Sequence, residues 1–322
     1  MSNTTANQSP IIKAQVYSEF MLEHIADGFL PDGLHRDVSD FGDGDTLYIP
    51  VMGETVLRDY VEDTGVEFDA VDTGQITLTI TEYVSAASYV TDKLKQDAYK
   101  AAALEAAIPR EHMRLIKERY ETDLLETANE QTLSNPNTIN SFAHRWVADS
   151  GATAGVLTLE DFAYAKLSAD KANMPEENRV AIVDPIVEMT LNYLVGVQAF
   201  TNNPQWKGLA ETGFAKGKRF LRNIYGWDVY VSNRLPTVTE TITGGPHGGA
   251  ETVTAGKVNV FGCFYDDQHT PFMGAWRQQP SAEGFRNTTF KRDEYSTTAR
   301  WGFGLQRRES LIVVLSSATA YK

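Results

Sequence analysis

The sequence predicts an α+β protein of elongated shape, and three observations carry that prediction. Residues 46–84 alternate with the two-residue period of a long β-hairpin, residues 91–130 have helical periodicity, and residues 285–315 return to strand patterns. Joined end to end, the helical stretch would measure about 55–60 Å at about 1.5 Å per residue, which exceeds the diameter of a small domain. We find no internal repeat in the sequence.

Negative charge is concentrated at the N-terminal end of the chain. Residues 1–90 contain 16 Asp and Glu and 3 Lys and Arg, a net charge of −13, whereas all 322 residues together carry −14. Such a segment has few cations of its own, so we expect it to face water, a cation or another subunit. Residues 1–10 look disordered, and residues 11–30 have an amphipathic pattern, formed by Val16, Phe20, Met21 and Ile25. We interpret this acidic quarter as an arm that lies on neighbouring copies of the chain.

The hairpin prediction rests on alternation in both strands. The apolar positions are Leu47, Ile49 and Val51 on the first strand, and Ile76, Leu78 and Ile80 on the return strand. Threonines occupy the other face of the return strand, and the acidic segment 57–65 between the strands is too long for a tight turn. An isolated two-stranded ribbon is marginally stable in water, so this one is expected to need a surface outside itself.

Helix signals follow the hairpin. Thr91 is a plausible N-cap, and Pro109 predicts a kink or a restart inside the helical stretch. A capping box beginning at Thr158 opens a second helix, which Pro175 ends. Asp184 and the proline after it begin a third helix over residues 186–195.

The remaining segments are predicted as strands or loops. Strands are expected at residues 180–183, 229–231 and 311–315, long strands within 285–304, and a flexible hairpin over 237–254. Residues 27–45 and 135–157 are predicted to be loops.

Composition limits the class of protein. Hydrophobic residues make up 42% and charged residues 22% of the chain, close to an ordinary soluble protein. No apolar run reaches the roughly 18–20 residues of a membrane span, and the polar N-terminus does not resemble a signal peptide. The single Cys263 excludes an internal disulfide, and a pI near 4.9 argues against broad phosphate binding.

No group of residues predicts catalysis. The kinase-like tripeptides at residues 35–37 and 40–42 lie too close together, and no Gly-rich loop precedes them. Cys263 stands in an apolar context typical of a core residue, although His269 follows it closely. The histidines lack metal-ligand spacing, so we predict no catalytic residue, cofactor or metal.

The order of these parts resembles the major capsid protein of tailed double-stranded DNA bacteriophages, the Hong Kong 97-type fold. Residues 76–94 are similar to the second strand of that family's extended loop running into its spine helix. Residues 167–185 resemble the stretch that enters the axial domain, residues 226–236 a glycine, strand and Ser-Asn-Pro segment, and residues 302–315 the closing strand. The resemblance covers nearly the whole chain, although it does not place the hairpin 237–254.

The resemblance implies five parts and no enzymatic activity. They are an N-terminal arm (1–45), an extended β-hairpin loop (46–84), a peripheral domain with the spine helix (85–134), an axial domain (135–280), and return strands of the peripheral domain with the C-terminal strand (281–322).

In such shells the extended loop of one subunit lies across the next subunit, which predicts two sets of contact residues. On the acidic loop they are Glu54, Leu57, Asp59, Tyr60, Val61, Glu62, Asp63, Glu67, Phe68, Asp69 and Asp72. On the basic surfaces they are Lys216, Lys218, Arg219, Arg222, Arg277, Arg286, Lys291, Arg292, Arg300, Arg307 and Arg308. Exposed ion pairs contribute about 0–1 kcal/mol each, so charge is expected to set register while apolar contacts supply most of the affinity.

The implied function is a major capsid protein that self-assembles into hexamers and pentamers. These would form an icosahedral shell around packaged double-stranded DNA, without sequence-specific binding and without a membrane. The implied partners are copies of itself, a separate scaffolding protein, a portal and a decoration protein, with assembly in the host bacterial cytoplasm. The alternatives are another phage structural protein that forms rings or tubes in the tail or at the head–tail junction, and a cytosolic enzyme of mixed α/β fold.

Overall fold

A computed structural model describes most of the chain after residue 29. The described residues are 30, 33–39, 44–53, 55–60, 62–63, 65, 68–71, 73–97, 101–151, 153–196 and 220–321. The amphipathic segment 11–30 therefore lies outside the described residues, apart from Leu30.

The described elements alternate between strands and a small set of helices. The strands are β1 (Arg36–Asp37), β2 (Thr46–Met52), β3 (Thr73–Thr79), β4 (Glu82–Thr91), β5 (Arg145–Val147), β6 (Arg179–Val183), β7 (Phe220–Ile224), β8 (Trp227–Val231), β9 (Thr237–Thr243), β10 (Ala250–Cys263), β11 (Phe272–Asn287), β12 (Arg292–Leu305) and β13 (Leu311–Ser316). The helices are α1 (Asp92–Asp97), α2 (Ala101–Glu126), α3 (Leu159–Lys171) and α4 (Pro185–Gly196), with a 3₁₀ turn at Thr127–Glu130.

One sheet has the strand order β1-β11-β12-β4 among the described residues, and α2 packs on it. The contact is apolar, because Ile116 of α2 lies against Ala299 and Trp301 of β12. Tyr120 of α2 stacks on Trp276 of β11, with ring centroids 4.4 Å apart. The long helix is therefore fixed along the sheet by burial of one face and by aromatic contacts.

A second sheet has the order β5-β13-β10-β6-β8-β7, and β9 pairs with the outer part of β10. Its central strands are covered on both faces, since every residue of β6 and β13 is buried. One face packs against Phe162 of α3 and Leu191 of α4, and the other against Leu124 and Leu125 of α2. This sheet forms the largest part of the core.

The ribbon formed by β2 and β3 leaves this body at one side. The two strands pair antiparallel, with Thr46 opposite Thr79 and Met52 opposite Thr73. Near its base Leu78 is buried against Met273 and Ala275 of β11. The hairpin strands predicted from alternation are thus present, while the division into five parts stays a prediction.

Several local predictions agree with the structure. Thr158 N donates to Asp161 Oδ2 at 2.9 Å, the expected capping contact of α3. Ile186 N donates to Asp184 Oδ2 at 3.1 Å at the start of α4. The strands predicted at 180–183, 229–231 and 311–315 correspond to β6, β8 and β13.

Other local predictions were wrong, each because tertiary contacts decided the backbone. Pro109 lies inside α2, which runs through it, so the restart that was one of the two expectations does not occur. Residues 135–157 were predicted as loop, yet β5 lies within them, its buried backbone paired with β13. Residues 27–45 were also predicted as loop, yet they contain β1, which pairs with β11. No helix in the described ranges is both long and apolar enough to span a membrane.

Candidate subunit-contact surface

The segment between β2 and β3, residues 53–72, is called the distal loop here, and most of its described residues are exposed. It has no regular secondary structure in its described part. Leu57 is 97% exposed, Phe68 93% and Tyr60 75%. Large apolar side chains this exposed contribute almost nothing to the stability of the single subunit. A group of them therefore indicates a surface that another molecule covers.

The base of the ribbon is fixed to the chain's own body. Ile80 N donates to Asp45 O at 2.8 Å, which closes the two strands together. At Gly302 of β12, an added Cβ would lie 2.6 Å from Thr79 O and 2.7 Å from Ile80 Cα. The expectation that the ribbon needs an outside surface is therefore corrected in part. Its base packs on β11 and β12 of the same chain, and the distal loop is what projects.

An ion pair connects the two sides of the distal loop. Arg58 Nη2 lies 3.0 Å from Asp69 Oδ1, and both side chains are 45% exposed. A pair this exposed contributes little to stability, although it brings the two sides of the loop together. Asp69, predicted to contact a neighbour, is thus engaged within its own loop.

The other predicted loop residues are exposed wherever the structure describes them. These are Leu57, Asp59, Tyr60, Glu62, Asp63 and Phe68. Glu54, Val61, Glu67 and Asp72 lie outside the described residues. The described carboxylates and apolar side chains share one projecting loop, which is the mixed surface that the charge pattern predicts.

Sequence reasoning missed four exposed apolar residues beside this set. They are Tyr48, Met52, Val56 and Val71. Tyr48 and Met52 lie on β2 at positions of the same parity, opposite the apolar face of Leu47, Ile49 and Val51 that the sequence singled out. That parity is the signal that identifies them, because Leu47 and Ile49 on one face pack toward the body, while Tyr48 and Met52 on the other face are exposed. Val51, near the end of the inward face, is itself 40% exposed.

Two of the predicted basic residues, Arg286 and Arg292, already bind carboxylates of their own chain. Arg286 contacts Asp92 with both terminal nitrogens, Nη1 to Oδ1 at 2.5 Å and Nη2 to Oδ2 at 2.6 Å, and its Nη1 lies 2.9 Å from Asp293. Hydrogen bonding to Arg286 lowers the pKa of Asp92. Lys95 bonds to Asp293 and lowers the pKa of that carboxyl as well. This network joins α1 to the far end of β11 and β12.

Arg292 is engaged in the same region. Its Nε lies 2.6 Å from Glu294 Oε1, and this contact lowers the pKa of Glu294. Its guanidinium also stacks over the ring of Tyr89, 4.4 Å from the centroid, and over Phe290 at 4.9 Å. The end of the long strands is therefore largely neutralised inside the subunit.

The remaining basic residues are spread over several places. Arg277 is exposed on β11, Lys291 is exposed in the turn after β11, and Arg300 is half-buried on β12. Arg307 and Arg308 are exposed between β12 and β13, and neither has an ion pair within the described ranges. Lys216, Lys218 and Arg219 lie outside the described residues, while Arg222 belongs to β7.

The residues weighed for catalysis or metal binding form no common site. Cys263 is buried in the core, and burial raises the pKa of its thiol. His269 lies at the surface beside Asp266, with Nδ1 and Oδ1 2.6 Å apart. No cluster of three or more metal-ligating side chains occurs in the part of the chain that the structure describes.

The family model for the phage capsid protein matches residues 73–314, which is most of the chain. Solved structures agree in fold. A capsid of cyanophage P-SCSP1u has a TM-score of 0.67 at 15% identity, covering 95% of this chain and 93% of that one. A structure of Mycobacterium phage Che8 has a TM-score of 0.63 at 15% identity, covering 94% and 96%. The cyanophage Pam1 capsid has a TM-score of 0.63 at 12% identity, covering 99% of each chain.

The fold is thus the mixed helix-and-strand fold of tailed-phage capsid proteins, the Hong Kong 97-type fold. The chain belongs to the phage capsid protein family, as a major capsid protein of the icosahedral shell. No curated protein sequence matches it. Membership of this family places the protein in the capsid of the virion, as a structural protein.

Proposed function

We propose that the chain self-assembles into pentamers and hexamers through its distal loop, and that these close into a shell around packaged double-stranded DNA. The observation that carries this proposal is the near-complete exposure of Leu57 and Phe68 on a loop whose base is fixed. A rigid base presents the loop in one direction, and repeated weak contacts can then build a symmetric closed assembly.

Charge complementarity is proposed to set where the loop lands on the neighbour. Arg286 and Arg292 are held by carboxylates of their own chain, whereas Arg307 and Arg308 are exposed and have no ion pair with any described residue. We therefore assign the segment with Arg307 and Arg308 as the surface that meets Asp59, Glu62 and Asp63. Opposite charges would orient the loop, and the apolar side chains would supply the affinity.

The enclosed DNA is proposed to be held by containment. A chain with net charge −14 has no excess of cations for gripping phosphates at many places. A separate scaffolding protein, a portal and a decoration protein are the further partners proposed, with assembly in the host bacterial cytoplasm.

The test removes apolar contacts from the distal loop without touching the core. We expect the double variant Leu57→Ser and Phe68→Ser to leave the subunit's thermal unfolding unchanged, because both side chains are exposed. Shell formation should require a concentration at least about tenfold higher, since burying each such side chain contributes about 1.5–3 kcal/mol. Electron micrographs across a concentration series measure this.

The matched control is Tyr265→Ser, which removes an exposed apolar side chain elsewhere, 51% exposed. It should assemble like the unchanged protein. Normal shells from the loop variant at the same concentration would contradict the proposal.

A further inference from the structure

A groove of about 540 Å³ runs along α2, outside the proposed loop contact. Its walls are largely apolar and include Leu34, Met113, Ile116, Tyr120 and Trp276. Met113 is 43% exposed, so the groove opens to the surface at that point. An open apolar groove of this size favours an apolar occupant.

One edge of the groove is basic. Arg110, Arg114 and Lys117 all line it, and they recur along α2 at spacings of four and three residues, on one side of the helix. Glu121 also lines the groove, but its Oε2 lies 2.8 Å from Nη1 of Arg234. Arg114 is bound within its own helix, since its Nη2 lies 2.6 Å from Glu111 Oε1 and its Nη1 lies 2.7 Å from Glu118 Oε2. Residues 110–118 contain three Lys and Arg and two Glu, so this edge carries a net charge of only +1 beside the apolar floor.

The chain that follows residues 1–29 enters the described structure at this groove. Leu30 and Leu34 form part of its wall, and Leu30 N donates to Glu121 Oε2 at 3.4 Å. Glu121 and the arginine bound to it thus fix the point from which the preceding 29 residues depart. Residues just before Leu30 have to start within a few ångströms of the groove, since two residues span at most about 7 Å.

Residues 16–27 have the complementary pattern. Arranged as a helix, Val16, Phe20, Tyr17, Met21 and Ile25 fall on one stripe. The acidic residues Glu19, Glu23 and Asp27 recur every four residues along one edge of that stripe. Such a helix would be about 18 Å long, close to the roughly 21 Å of α2 between residues 110 and 124.

We propose that residues 16–27 dock as an amphipathic helix in this groove of their own chain, with their apolar stripe on its apolar floor and their acidic edge on the side of α2 that carries Arg110 and Lys117. The short connection to Leu30 gives the segment a high effective concentration at its own groove, which a neighbour's arm lacks. This revises the expectation that the arm lies on neighbouring copies. It concerns the single subunit and stands apart from the proposed shell contact.

Cysteine pairs test the docking directly in the full chain. Phe20→Cys combined with Met113→Cys should form a disulfide on mild oxidation. Phe20→Cys combined with Leu115→Cys should not, because Leu115 is equally exposed on α2 but does not line the groove. Mixing ¹⁴N- and ¹⁵N-labelled subunits before oxidation distinguishes bonds within a chain from bonds between chains.

We expect cross-linked peptides of a single isotope. Peptides of mixed isotope would overturn the proposal in favour of a neighbour's arm, and equal yields from the two pairs would overturn it altogether. A third pair, Phe68→Cys with Met113→Cys, reports whether a neighbour's distal loop occupies the groove instead. Efficient disulfide dimers from that pair would also overturn it.

Hydrogen exchange provides a second readout that needs no cross-link. Phe20→Ser should make amides of residues 110–124 exchange about tenfold faster or more, because the groove would lose an apolar cover. Leu22→Ser is the control, since Leu22 falls on the opposite side of the proposed helix. Unchanged exchange in the Phe20 variant would contradict the docking, while shell assembly is scored separately by microscopy.

Discussion

Asp161 is the residue that joins three elements of the larger sheet region. Its Oδ2 accepts from Thr158 N, and its Oδ1 accepts from Trp146 Nε1 at 3.1 Å. The same Oδ1 lies 2.7 Å from Nε2 of His247, in the turn between β9 and β10. One buried carboxylate therefore caps α3, orients a core tryptophan and holds the tip of the hairpin that the family resemblance did not place.

This contact predicts a pH dependence of stability. Hydrogen bonding to Asp161 raises the pKa of His247 above its usual value of about 6.5. The stabilisation is therefore fully present below about pH 6.5 and is lost as the pH rises through the folded pKa. We expect His247→Gln to lower the free energy of unfolding by about 1.5–3 kcal/mol at pH 6 and by less at pH 8.5.

Urea unfolding of the unassembled subunit at the two pH values measures this difference. Burial lowers the pKa of His112 and of His144, so those residues weaken stability below about pH 6.5 and act in the opposite sense. His112 and His144 are present in both the unchanged protein and the His247→Gln variant. The difference in unfolding free energy between these two proteins therefore reports the contribution of His247 alone. His269→Gln, at the surface, is the control, and an equal loss at both pH values would contradict the prediction.

A second residue-scale prediction concerns a buried ion pair. Arg145 of β5 is fully buried and Glu240 of β9 nearly so, with Nε 2.8 Å from Oε1. Removing one partner leaves a buried charge uncompensated. Glu240→Gln should therefore lower the free energy of unfolding by about 3–5 kcal/mol, measured by urea denaturation.

The double variant Arg145→Met and Glu240→Leu provides the comparison. It removes both charges and should lose less stability than the single variant, because replacing a buried pair by apolar residues is often neutral. A single variant within about 0.5 kcal/mol of the unchanged protein would show that the pair is solvated.

At the scale of elements, the base of the ribbon depends on one close approach. Gly302 lets β12 lie against the backbone of Thr79 and Ile80, where a Cβ would be 2.6–2.7 Å away. Backbone cannot move aside as a flexible side chain can. We expect Gly302→Ala to destabilise the subunit by about 1–3 kcal/mol through overpacking, measured by thermal or urea unfolding.

Gly284→Ala serves as the control for strand propensity on β11. An added Cβ there would only touch the ring of Tyr295 at 3.5 Å, an ordinary contact. Equal stability losses in the two variants would mean that the ribbon base does not require the close approach.

At the scale of the whole molecule, charge separation predicts salt-dependent assembly. The N-terminal 90 residues carry −13, and the segment with Arg307 and Arg308 is exposed. Glu62→Lys combined with Asp63→Lys should slow shell formation at low salt and differ little from the unchanged protein at high salt, since salt screens exposed charges.

Charge reversal on the other side tests the assigned partner surface. Adding Arg307→Glu and Arg308→Glu to the loop variant should restore assembly at low salt, as followed by light scattering. A loop variant that assembles normally at every ionic strength would remove electrostatics from the contact. If the variant with all four substitutions folds but does not assemble at low salt, the receiving surface lies elsewhere.

Local elements were predictable from the sequence where a short pattern is self-sufficient. The capping box at Thr158, the Asp184 cap and the alternation of β3 all rest on neighbouring residues. β5 and β1 were missed because their backbones are strands only by virtue of pairing with β13 and β11. α2 does not restart at Pro109, because packing of the helix on the sheet outweighs the local penalty of proline.

The candidate contact surface was likewise only partly predictable from the sequence. Composition identified the acidic, partly apolar loop, because charge and hydrophobicity are properties of the sequence itself. It could not show that Arg286 is already bound to Asp92 while Arg307 is exposed, since those facts depend on residues distant in the chain.

The sequence by itself determined the long helix, the return strands and the acid-rich ribbon, because these follow from short-range periodicity and net charge. Only the tertiary structure decided that the ribbon's base packs on its own sheet while its loop projects. Only it revealed the groove beside α2, since a groove exists only where separate elements meet. Periodicity encodes which face of an element is apolar, and packing decides what that face meets.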